Sequence, residues 1–357
     1  MNNIYFTCRH YSSNVKIPDN VKYLTILSAS EPVVGIPDTV IDILLGHDFN
    51  QPIVFPSTTT HITFGHRYNQ TTILPVATTH VTFGYNYDQP TIFPNNITHL
   101  TFGHRYNQPT DLPTAITNLT FGNKYNQPTI FQPNITRLEL GYCYNQSTIF
   151  PNNIKYIIFG GCYNQPSIFP SLATIIMFGY DYDQPTVLPD NVKHVEFGFN
   201  FNQPVTFPTS ITKIVFGVEY NQPTDLPDSI KDITFSNHFN QPLTLPDGVE
   251  NVIFGRDFNQ PLTLPHSIMK LSLGYHYNQP DTILPPYLQR FYLGNVGSWE
   301  QYKDQIMNNK YIIYTTILDK DIQKHIDINK HNLNKLSMNL VTQCLYLTDD
   351  HYYMRPA

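Results

Sequence analysis

FGHRYNQPTDLPTAITNLTFGNKYNQPT, residues 102–129, says nearly the same thing twice: Phe-Gly-x-x-Tyr-Asn-Gln-Pro-Thr opens at Phe102 and returns 19 residues later at Phe121. Working outward, Asn-Gln-Pro or a close variant begins at Asn50, Asn69, Asp88, Asn107, Asn126, Asn145, Asn164, Asp183, Asn202, Asn221, Asn240, Asn259 and Asn278, always at an interval of 19. Counted from the apolar residue that opens each unit, the pattern is I-x-x-[LIV]-x-F-G-x-x-[YF]-N-Q-P-x-x-[LF]-P-x-x, with Ile116 at position one of a clean copy. Weaker copies extend it to Ile17 on one side and, after a one-residue insertion, to Gly294 on the other. A fixed period of this kind decides the architecture before length does.

Leu119-Thr120-Phe121 alternates with the period of two that marks a strand with one buried face. Nineteen residues hold a strand and two turns but no full helix as well. The prediction is therefore a β-rich solenoid in which each unit is one coil. Right-handed coils stack through one long parallel sheet, and residues at equal repeat positions form rows ~4.8 Å apart. Positions four and six, such as Leu119 and Phe121, and the aromatic at position ten supply the core. The glycine at position seven is expected to take a positive φ in a tight turn. The asparagine at position eleven is expected to be buried, using its donor and its acceptor on unpaired backbone groups. The prolines hold the return segment extended.

This unit resembles a compressed leucine-rich repeat, and the string [YF]-N-Q-P followed by Leu-Pro is similar to the FNIP repeat family of social amoebae and of giant viruses of amoebae. The resemblance covers residues 17–294 and implies protein–protein interaction. About fifteen coils stacked at this spacing give a sheet ~70 Å long. Residues 1–16 read as an N-terminal cap, in which Ile4-Tyr5-Phe6 adds an irregular strand, and residues 295–357 as a capping segment with helices. In the latter, Ser298 and Gln301 have capping-box spacing, Tyr311 to Ile317 reads as a strand, and Leu333, Leu336, Leu340 and Cys344 form a helical stripe.

The chemistry-bearing residues are few. The chain is only 13% charged, its net charge is −6, and it has no Lys/Arg run, which argues against nucleic acid and an anionic membrane as partners. It lacks a secretory leader and a membrane-length apolar stretch, so the expected location is the cytoplasm, that of the host if the protein is viral. No phosphate loop, Cys-x-x-Cys pair, zincin motif or nucleophile elbow is present, and neither enzymatic activity nor a cofactor is expected. Cys143 and Cys162, 19 apart, read as a reduced structural pair. His61, His80 and His99 at position three would form an imidazole array without a carboxylate shell, which reads as solvated histidine rather than a metal site.

Positions three, five and eight face out from the sheet and are mostly polar. Two successive coils break that habit with Tyr156 and Ile158, then Ile175 and Met177, with Tyr142 before and Tyr180 after. Arg137, Glu139, His194 and Glu196 would rim this apolar patch. Clustered aromatic, Met and Ile side chains inside a charged margin are what a protein-binding surface requires. The function predicted is a monomeric, non-enzymatic scaffold that binds a protein partner, possibly a host protein, on its concave sheet. The alternative is an assembly component that self-associates through its ends.

Overall fold

The structure, a computed structural model, describes residues 4–294, 299–309, 311–312 and 314–317. The expected stripe at Leu333, Leu336, Leu340 and Cys344, and Ser298 of the capping box, lie outside them. The chain divides into two compact units, Met1–Tyr180 and Asp181–Ala357.

In the first unit ten strands run from Tyr5–Cys8 and Tyr23–Ile26 to Tyr156–Ile158 and Ile175–Met177. Each pairs in parallel with the next, and from Tyr23 onward the register advances by one repeat per strand, as in Leu100↔Leu119 and Leu119↔Leu138. The second unit continues the pattern from His194–Glu196 through Lys213–Val215, Asp232–Thr234, Asn251–Ile253 and Lys270–Leu273 to Arg290–Leu293. There the return segments Thr186–Val187 and Val205–Thr206 also pair in parallel. The fold is the predicted leucine-rich-repeat-like parallel β-solenoid.

Each coil is a strand and two tight turns. Tyr125 N–H donates to Gly122 C=O at 3.1 Å, and Ile116 N–H to Pro113 C=O at 3.3 Å. Positions one, four and ten are sealed: Ile116, Leu119 and Tyr125 are at most 1% exposed. The position-ten hydroxyl is satisfied locally. Tyr125 Oη lies 2.7 Å from Thr129 Oγ1, which donates to Gln127 C=O at 2.9 Å.

The glycine row needs its residue for a reason other than the one expected. Among the described residues, the glycine with a positive φ is Gly35, which lies outside that row. At position seven the backbones of successive coils touch: a Cβ on Gly122 would lie 1.7 Å from the carbonyl oxygen of Gly103. The constraint is therefore close approach of backbone, not torsion. Ser236, the replacement in this row, is buried with its hydroxyl donating to Tyr220 C=O.

The asparagine ladder is present, with two differences from expectation. Asn126 N–H donates to Asn107 Oδ1 at 2.9 Å, and Asn126 Oδ1 accepts from Asn145 N–H at 2.9 Å and from Gln146 Nε2 at 3.0 Å. Only the oxygen carries the ladder, so Asp88 serves equally well, accepting from Asn107 N–H at 2.9 Å. The row is also shallower than a buried one: Asn126 is half-buried and Asn69 exposed, because each side chain bonds along the surface to the next coil.

Ring spacing gives the curvature within the first unit. On the strand face, at position three, His61, His80 and His99 have centroids 4.3 and 4.2 Å apart. At position ten, behind the sheet, Tyr68, Tyr87 and Tyr106 stand 6.1 and 6.2 Å apart. Strand pairing holds coils near 4.8 Å. Coils that close up in front of the sheet and spread behind it make the strand face concave.

In the second unit the helix Trp299–Asn308 follows the strand Arg290–Leu293 and precedes Tyr314–Ile317, which pairs in parallel with that strand. Tyr302 is fully buried edge-on to Phe291 at 5.9 Å, and its hydroxyl donates to Gln279 C=O at 3.1 Å. Gln305 accepts from Leu284 N–H at 2.8 Å and donates to Thr282 C=O at 3.1 Å, while Asn309 donates to Pro285 C=O at 3.2 Å. Backbone groups that a further coil would have met are thus met by side chains.

Candidate partner-binding face

Because position four is fixed in the core, the residues on either side of it must face solvent. In the first unit this places Arg137 and Glu139, Tyr156 and Ile158, and Ile175 and Met177 on three successive strands, with Ile175 beside Tyr156 and Met177 beside Ile158 in register. Tyr156, Ile158, Ile175 and Met177 are half-buried, since each is flanked by its neighbours in the row. The most open aromatic members are Tyr142 and Tyr180 at position eight, 45% and 42% exposed.

The charged margin is not separate from the apolar patch. The Arg137 guanidinium lies over the Tyr156 ring at 4.0 Å while also bonding the Glu139 carboxylate. Tyr156 Oη reaches Met177 Sδ at 3.7 Å. A cation–π contact and an ion pair thus hold Arg137 flat, leaving a preorganised surface of ring, thioether and alkyl edge. Gly161 contributes by having no side chain. A Cβ there would meet Tyr142 Cε2 at 2.2 Å, so the Tyr142 ring occupies the space a larger residue would fill. The contrast in the variable columns did not reveal that role, although Gly161 is legible as a second glycine after the repeat's own Gly160.

The other two predicted margin residues belong to the second unit. His194 Nε2 lies 2.7 Å from Glu196 Oε1, which Lys213 Nζ also approaches at 3.3 Å. The hydrogen bond with His194 holds the Glu196 carboxyl below the usual carboxylate range against the opposing effect of burial, and Lys213 acts in the same direction.

Cys143 and Cys162 are both half-buried. Among the described residues no group of three or more His, Cys, Asp or Glu side chains is placed to hold a metal ion, and no helix is long and apolar enough to cross a membrane.

The FNIP Repeat family model matches residues 68–104, 89–124, 106–143, 125–162, 144–181, 182–217, 201–238, 220–257 and 239–276. These matches span more than half of the chain. The chain belongs to the FNIP repeat family. Among solved structures this FNIP repeat protein is similar to CroV588, a circular LRR protein from a giant virus. The identity is 30% and the TM-score 0.77, over 84% of this chain and 50% of that one. It therefore spans about half the length of that relative. YopM from Yersinia enterocolitica shares the fold at 13% identity and a TM-score of 0.58, over 78% of this chain and 75% of that one. No curated protein matches.

Proposed function

We propose that this FNIP repeat protein is a non-enzymatic scaffold that binds a partner protein in the cytoplasm, and that the patch of Tyr142, Tyr156, Ile158, Ile175, Met177 and Tyr180 is the contact surface of its first unit. Repeat folds of this class present wide surfaces for protein–protein interaction. The observation that carries the reading is Arg137, held over Tyr156 and against Glu139. No packing requirement asks for this arrangement on a solvent-facing row, and it pre-pays the ordering cost of a rotamer-rich side chain. Tyr, Met and Arg are the residue types that concentrate binding energy at such centres. His194 and Glu196 are proposed as a charged contact of the second unit.

The test is the double substitution Ile158→Ser with Met177→Ser. Both residues are half-buried on the solvent side, so the melting temperature is expected to stay within a few degrees of the parent. Partner recovered by affinity capture from amoebal lysate is expected to fall at least tenfold. Recovery equal to that of the parent, from a variant that melts like the parent, removes the patch as the contact surface.

A further inference from the structure

Further along the same concave face, the first unit carries a feature that the patch does not use. His61, His80 and His99 stack with planes within 15° and 12° of parallel. Each Nδ1 lies 2.9 Å from the hydroxyl of the preceding threonine, Thr60, Thr79 or Thr98. Those hydroxyls also lie 3.1, 3.3 and 3.3 Å from the carbonyls of Ile41, Thr60 and Thr79. A hydroxyl that donates to its carbonyl accepts from Nδ1–H. This assignment leaves each Nε2 as the open position of its ring, and among the described residues no hydrogen bond reaches it.

At position eight a second column runs beside the first: His47, His66, Tyr85 and His104 stack at 4.6, 4.7 and 4.3 Å. Position nine adds the exposed cations Arg67, Arg105 and Lys124. The opposing charges are Asp42, which precedes His61 in its row, and Asp48, which is 2.8 Å from His47 Nδ1 and 3.2 Å from Arg67. Beyond His99 the row continues with Asn118 and Arg137. A chain with a net charge of −6 thus gathers six imidazoles and three fixed cations against two carboxylates on one face. Stacked rings hold their lone pairs in parallel planes, so an ion bound ~2.0 Å from one Nε2 lies outside the plane of the next, and the array does not suit a metal.

It suits an anion that spans several coils. We propose that this face binds an acidic polypeptide segment and takes up protons as it does so. The proposal rests on the reading that the strand face receives protein. Imidazole changes charge between pH 5 and 8, and adjacent imidazolium rings repel one another. Burial pushes His80 down, with His99 and His61 acting the same way, and burial followed by Lys124 and Arg105 does so for His104. Carboxylates laid along the columns relieve that repulsion and draw protons in. The hydroxyls of Thr63, Thr82 and Thr101, between the two columns, offer hydrogen bonds to peptide amides, which favours a polypeptide over a polyphosphate chain.

The experiment is titration calorimetry with a ten-residue oligo-glutamate peptide at constant ionic strength, at pH 6 and pH 8, in two buffers of different protonation enthalpy. Binding at least tenfold tighter at pH 6, with a heat that depends on the buffer, is expected. The variant His61→Asn/His80→Asn/His99→Asn should lose that gain, and His66→Asn/His104→Asn should lose part of it if the triple variant does not fold. The Ile158→Ser/Met177→Ser variant should bind the peptide as the parent does, so failure of the patch and failure of this proposal are separable. Equal affinity at the two pH values overturns the proposal. So does parent-like binding by either folded histidine variant, or an oligonucleotide of equal charge that binds as tightly as the peptide.

Discussion

Tyr125 and Thr129 show how a single position is chosen. A phenol with no exposed surface must place its hydroxyl, and the chain from Tyr125 Oη through Thr129 Oγ1 to Gln127 C=O does so at 2.7 and 2.9 Å. Nine coils with Tyr at position ten carry Thr or Ser to receive it, as in Tyr163 with Ser167 and Tyr277 with Thr282. The four with Phe instead, Phe49, Phe201, Phe239 and Phe258, have Ile53, Val205, Leu243 and Leu262 four residues on. This covariation is plain in the sequence, yet reading each row by itself misses it, because its cause is a contact within one coil and not along a row. Thr129→Leu alone, which strands a buried hydroxyl, is expected to cost about 1–3 kcal/mol. Tyr125→Phe alone should cost about 1 kcal/mol, and the pair together less than about 0.5 kcal/mol. Urea denaturation of the three variants checks this, and additive losses in the pair would disprove the coupling.

At the scale of the coil, strand, turn and ladder were legible because each is written once per repeat and read thirteen times. What the repeat does not spell out is which physical demand a conserved-looking position meets. Glycine next to a strand is equally consistent with a positive φ and with touching backbones. Only the contact of Gly122 with Gly103 decides between them. Asparagine likewise hides that the ladder needs only its oxygen, although Asp88 and Asp183 in the same row were the clue. The buried tyrosine rows make a pH prediction. Burial raises the phenols, Tyr68 and Tyr144 to about 12, with their hydroxyl partners Thr72 and Thr148 opposing. A folded-state pKa above the ordinary 10 contributes stability that is complete below pH 10 and lost as pH rises toward 12. The melting temperature should therefore fall steeply between pH 10 and 12, and phenolate absorbance from these rows should appear only with unfolding. Ionisation of these tyrosines near pH 10 in the folded protein would contradict their burial.

For the molecule as a whole, folding dictates most rows and leaves the outward positions free to vary. That freedom made the Tyr156 to Met177 patch visible from the sequence, since a run of apolar residues stands out only where polar ones are the habit. The stacking of Arg137 on Tyr156 and the recess at Gly161 were not visible, because they depend on side-chain rotamers, and the array of His61, His80 and His99 was legible as a row but not in the curvature that stacks its rings at 4.2 Å. The central claim is that repeat position separates residues that serve the fold from residues that serve a partner. It is tested most directly by measuring melting temperature and partner capture side by side on Asn126→Ala, Asn126→Asp and Ile158→Ser/Met177→Ser. Asn126→Ala is expected to cost about 1–3 kcal/mol of stability by leaving Asn145 N–H without its acceptor, and to capture partner normally below its melting transition. Asn126→Asp, which keeps the ladder oxygen, should match the parent in both, and the double variant should melt like the parent and capture at least tenfold less. A double variant that melts early, or an Asn126→Ala protein that melts with the parent, would contradict the claim.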